Sequence, residues 1–80
     1  MEIERLKHLA ISDSGFIFDP GTGHSYTSND IGLFIIAILK TGADPACIIG
    51  QLVAEYEVTS DEAERDVQEF IDSLKKLALL

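Results

Sequence analysis

The chain has 80 residues, 46% of them hydrophobic, which sets it up as one domain, 1–80, and excludes a disordered tail. Its net charge is −8, and its few cations do not cluster: Arg5 and Lys7 lie near one end, Lys75 and Lys76 near the other, with Lys40 and Arg65 isolated. Such a balance repels phosphate backbones and anionic lipid, so neither nucleic acid nor a membrane is an expected partner. A single cysteine, Cys47, excludes an internal disulfide framework. The longest apolar run, Leu33–Leu39, is too short to span a bilayer, and MEIERLK has no apolar signal core. A cytoplasmic location is the natural expectation.

Ile3, Leu6 and Ala10 fit a helical period, while Leu9 and Ile11 fit a strand. A strand over about Lys7–Ser12 is predicted, because the turn Ser12-Asp13-Ser14-Gly15 supplies it with a hairpin partner. Phe16-Ile17-Phe18 is that partner, with both Phe on one face and Ile17 on the other. Asp19-Pro20-Gly21-Thr22-Gly23 is dense turn chemistry: Pro presets φ and Gly supplies positive φ. His24–Thr27 reads as a short third strand anchored by Tyr26. Its polar companions suit an open sheet edge.

Ser28 or Asn29 caps a helix to about Thr41, which Gly42 ends. This helix is apolar nearly all round and therefore needs cover on several sides, as a central core helix or with one flank left to line a peptide groove or a dimer contact. Asp44 caps a second helix, with Pro45 at its first position, to about Tyr56. Thr59-Ser60-Asp61-Glu62 is a capping box that opens a third helix to about Ala78. Ala63, Val67, Phe70, Leu74 and Leu77 form its apolar stripe. If Phe70 is core, its loss to Ala should cost roughly 3–5 kcal/mol. The order β-β-β-α-α-α predicts an α+β, winged-helix-like domain: a three-stranded antiparallel sheet followed by three helices.

No catalytic constellation competes with a binding role. His8, His24 and Cys47 lack metal-ligand spacing, and Cys47 on an apolar helix reads as a small hydrophobe. Gly21-Thr22-Gly23 has no following Lys and enters a strand, so it is a turn and not a phosphate loop. Asp72-Ser73-Leu74 resembles a phosphopantetheine site, but Ser73 lies deep inside the last helix. No catalytic residue, metal or cofactor is expected. The acids Asp61, Glu62 and Glu64 suit the dipole of a helix start, whereas Asp66, Glu69 and Asp72 are left to a solvated face or to selection of a basic partner. An open strand edge beside spare apolar surface suits capture of an extended peptide.

Several of these residues also carry a resemblance. From Gly15 to Leu80 the sequence resembles the PqqD family of small peptide chaperones. These are precursor-recognition elements for ribosomally made, modified peptides, and the likeness is to the variety linked to HPr-kinase-related gene systems. It rests on FIFDPGTGHSY, on Asn29 with Gly32, and on Ile48-Ile49…Leu52…Tyr56. It rests also on Arg65-Asp66-Val67 with Phe70…Leu74, and on Leu79-Leu80. Ser28 stands where the family usually has Leu. The resemblance implies that the leader of a precursor peptide adds as an antiparallel strand to His24, Ser25, Tyr26 and Thr27. It would lie against the last helix near Asp66, Glu69, Phe70, Ser73 and Leu77. The implied partners are a precursor peptide and a separate peptide-modifying enzyme. Two alternatives stand beside this expectation: a winged-helix transcription factor, opposed by the acidic last helix, and a dimerisation or scaffold module, with a homodimer formed through the apolar first helix.

Overall fold

The computed structural model describes residues 3–80. Met1 and Glu2, where the acidic N-terminal stretch begins, lie outside the described residues. The element order is α1 (Glu4–Lys7), β1 (Ala10–Ile11), β2 (Phe16–Asp19), β3 (His24–Thr27), α2 (Asp30–Leu39), α3 (Pro45–Tyr56) and α4 (Ser60–Lys76). The α+β arrangement of a three-stranded antiparallel sheet followed by three main helices is as expected. The first segment differs from its expectation. A single helical turn occupies Glu4–Lys7, and the strand expected over Lys7–Ser12 is only Ala10–Ile11. The helical spacing of Ile3 and Leu6 wins because the turn carries Leu6, fully buried, into the core, and Leu9 follows it at 4% exposure.

The sheet order is β1-β2-β3, so β2 is central and β3 is an edge. Period-two alternation on β2 sends Ile17 inward and leaves Phe16 and Phe18 exposed on the outer face. Against the inner side lie the helices. Ile35, Ile36 and Leu39 of α2, Ile48 and Leu52 of α3, and Ala63, Val67, Ile71 and Leu74 of α4 form one buried cluster with Leu6, Leu9, Ile17 and Leu79. Ile31, Leu33, Phe34 and Ile38 of α2 are partly buried around it, as a nearly all-apolar helix requires. The Phe34 and Tyr56 rings meet edge-to-face, 5.3 Å between centroids, and help to join α2 to α3.

The caps follow the local chemistry. Asn29, and not Ser28, caps α2: its Oδ1 accepts from the Gly32 N–H at 2.8 Å. Asp44 Oδ1 accepts from the Cys47 N–H at 2.9 Å, with Pro45 opening the helix. Thr59 Oγ1 accepts from the Glu62 N–H at 3.1 Å, which is one half of the expected capping box. Cys47 departs from the reading as a buried hydrophobe. It is exposed on the first turn of α3, where its Sγ accepts from Gln51 Nε2 at 3.2 Å.

The stripe of α4 needs a correction as well. Ile71 belongs to the core in place of Phe70, which is half-buried, and Leu77 is 45% exposed. Phe70 and Leu77 sit on the flank of the line through Ala63, Val67, Ile71 and Leu74, where Phe70 packs partly against the core and Leu77 stays exposed.

Past Leu77 the chain turns through Ala78 at φ +60°. The Leu79 N–H donates to the Leu74 carbonyl at 2.9 Å and the Ala78 N–H to the Lys75 carbonyl at 3.0 Å, a Schellman ending that docks Leu79 into the core. Alanine is strained in this left-handed position. Ala78→Gly should therefore raise stability by about 0.5–1 kcal/mol, read as a higher denaturant midpoint. A lower midpoint would mean that Ala78 carries no strain that glycine relieves.

Candidate peptide-binding edge and groove

The open edge of the sheet is built from the register of β3. Phe16 faces Thr27, Ile17 faces Tyr26, Phe18 faces Ser25 and Asp19 faces His24. One step further along the same register, the Ser28 N–H donates to the Gly15 carbonyl at 3.0 Å. Antiparallel pairs alternate between bonded and non-bonded, so Tyr26, two residues from Ser28, directs its backbone groups at β2. Ser25 and Thr27 direct theirs away, toward the open edge. Of the four residues expected to pair with a peptide backbone, these two present free groups. His24 turns its N–H to Thr22 Oγ1 at 3.2 Å, and Tyr26 is half-buried against the core.

A charged network anchors the start of this strand. Asp19 is 3% exposed. Its Oδ2 accepts from Arg5 Nη2 at 2.9 Å and from the Thr22 hydroxyl at 3.1 Å, and its Oδ1 accepts from the Gly21 N–H at 2.9 Å. Thr22 in turn receives the His24 N–H. Thus α1, the β2–β3 turn and the first residue of β3 share one carboxylate. Burial is the largest single influence on Asp19 and pushes its pKa up. The Arg5 hydrogen bond, the Gly21 N–H, the Thr22 hydroxyl and the Arg5 charge together outweigh it, and the value falls below the ordinary 3.8. A depressed carboxyl stabilises the fold above its unfolded value and loses that contribution as pH falls through the lower folded one. Asp19→Asn should therefore melt at a lower temperature than wild type at neutral pH. The gap should close as pH drops below 3.8. A gap unchanged down to low pH would show that the carboxylate charge contributes nothing.

Beyond the end of β3 the chain passes through Ser28 into α2, and a cavity of about 310 Å³ opens between α2 and α4. Asn29, Ile31, Gly32 and Ile35 line it from α2, and Asp66, Glu69, Phe70 and Ser73 from α4. Gly32 makes the close approach possible. A Cβ there would lie 2.9 Å from the Phe70 ring and 2.0 Å from Ser28 Oγ. Four of the five expected α4 residues thus come together, and Leu77 does not line the cavity. The α2 wall was expected only as an alternative, a flank of the apolar first helix lining a peptide groove, with no residue of it named. Its signal in the sequence was a glycine inside an otherwise apolar helix, which marks close approach.

Among the described residues, no group of three or more His, Cys, Asp or Glu side chains could hold a metal ion. No helix among them is long and apolar enough to cross a membrane.

Comparison with known proteins bears on this geometry. No curated protein matches the chain. Two solved structures do. "Lasso peptide synthetase B1 complexed with the leader peptide" is 35% identical, with a TM-score of 0.75 over 85% of this chain and 81% of that one. "TbiB1 in Complex with the TbiA(beta) Leader Peptide" is 29% identical, with a TM-score of 0.80 over 90% of this chain and 85% of that one. The family described as coenzyme PQQ synthesis protein D matches residues 15–80, which takes in β2, the open edge of β3 and both walls of the cavity. By that match, and by the fold it shares with two leader-bound proteins, the chain belongs to the PqqD family.

Proposed function

We propose that this protein is a non-catalytic peptide chaperone. It binds the leader of a ribosomally made precursor peptide by strand addition to β3 and presents the remainder to a separate modifying enzyme. The observation that carries this reading is the pair of outward-facing backbone positions, Ser25 and Thr27, on the strand that runs through Ser28 to Asn29, a residue of the cavity lining. An added strand would satisfy the free edge groups, and its side chains could reach the cavity. Family membership and the two leader-bound relatives support the reading.

The test is an amide NMR titration with the N-terminal segment of a precursor peptide encoded beside the gene. Shifts should gather at Ser25–Ser28 and along Asp66–Ser73. Shifts confined to α3, over Ala46–Glu55, would refute the site. Ser25→Pro sharpens the test. Proline at this edge position removes an outward N–H and leaves the pairing with β2 intact. One lost hydrogen bond is worth about 0.5–1.5 kcal/mol, and the ring also obstructs the incoming strand, so affinity should drop roughly tenfold or more while the melt stays cooperative. A Ser25→Pro protein that binds as well as wild type would rule out strand addition.

A further inference from the structure

We propose that the cavity between α2 and α4 takes a Lys or Arg side chain of the bound peptide, an inference that rests on the leader-binding reading above. Ile31, Ile35, the Phe70 ring and the bare backbone of Gly32 supply its apolar lining. Its polar groups are sorted by what they already hold. Asn29 Oδ1 is engaged by the Gly32 N–H, and the Ser73 hydroxyl donates to the Glu69 carbonyl at 3.0 Å. The carboxylates of Asp66 and Glu69 are left, one turn apart, without a hydrogen bond or ion pair among the described residues. Arg65 lies beside Glu69 in a separate groove with Asp61, Glu64 and Gln68, and forms no ion pair with it.

An occupant must match an apolar stem to two acceptors that offer no donor. A Lys or Arg side chain has that form: methylenes to lay against Phe70 and Ile35, and a donor-only cation for the two carboxylates. A purely aliphatic side chain would strip water from Asp66 and Glu69 and return no hydrogen bond. A phenol could serve one carboxylate and would leave the other uncompensated in a chain of net charge −8. The cation is therefore the part of the ligand that this chain selects, while strand addition is indifferent to side chains.

The experiment is selection of a phage-displayed library of random dodecapeptides on the intact protein, in parallel with the Asp66→Asn/Glu69→Gln variant. Wild type should enrich peptides with Lys or Arg at a fixed spacing from an apolar position. The variant, checked for a wild-type melt, should lose the cation and keep the apolar position. In synthetic copies of the recovered peptides, Arg→Gln should weaken binding to wild type roughly fivefold, more at low salt than at high, and leave binding to the variant unchanged. Recovered peptides that compete at the β3 edge but show no enrichment of Lys or Arg would overturn this inference and leave leader binding standing. Recovery of no peptide, or only of peptides that do not perturb Ser25 and Thr27, would overturn both.

Discussion

Ile36→Ala should unfold a large share of the protein at ambient temperature. Ile36 is fully buried at the centre of α2, between the sheet and the other helices. Truncating such a side chain costs about 2–5 kcal/mol, part from lost transfer and part from the cavity left behind. A domain of 80 residues has only ~4–12 kcal/mol to lose. Urea titration should show a midpoint lowered by a large fraction, with an unchanged slope. Phe70→Ala is the informative contrast. A half-buried ring on the flank of α4 should cost only about 1–2 kcal/mol, well below what a core Phe would. The same change should weaken peptide capture, because the ring is a cavity wall. Equal losses of stability from the two substitutions would put Phe70 back in the core.

Gly15→Ala should damage both fold and edge. Gly15 adopts φ +96°, and an added Cβ would sit 2.7 Å from the Ser28 carbonyl oxygen. That neighbour is backbone and cannot rotate away. The strained φ and the contact together should cost roughly 2–4 kcal/mol. Relief requires Ser28 to move, which loosens its N–H bond to the Gly15 carbonyl, the closure that leads β3 into α2. The melting temperature should fall, and the Ser28 amide should exchange faster with solvent than in wild type. A protein that melts like wild type with a protected Ser28 amide would show that the Gly15–Ser28 end of the β2–β3 ladder is not held as described.

Much of the architecture was legible along the chain because it depends on near neighbours. Asn29, Asp44 with Pro45, and Thr59 each satisfy an amide within three residues, and each opens the helix expected of it. The alternation Phe16-Ile17-Phe18 orients β2 by the pleat alone. The Asp19–Gly23 segment turns the chain where Pro and Gly permit. The edge strand was also readable, and four of the five α4 residues implied by resemblance to a family, not by periodicity, line one cavity.

Sequence by itself therefore determined the elements from β2 onward, their order and the polar edge strand, because capping, turn formation and alternation are local. Tertiary structure decided the rest. Ala63, Val67 and Leu74 leave both Phe70 and Ile71 as candidates for the core, and only packing against α2 and α3 assigns Ile71 inward and Phe70 to the groove. Asp19 reads locally as a turn residue. Its burial against Arg5, fourteen residues away, depends on where α1 docks. The outward direction of Ser25 and Thr27 is a property of strand register, which exists only once β3 is paired with β2. The cavity needs two helices far apart in the chain to meet at Gly32, and no single segment encodes that approach.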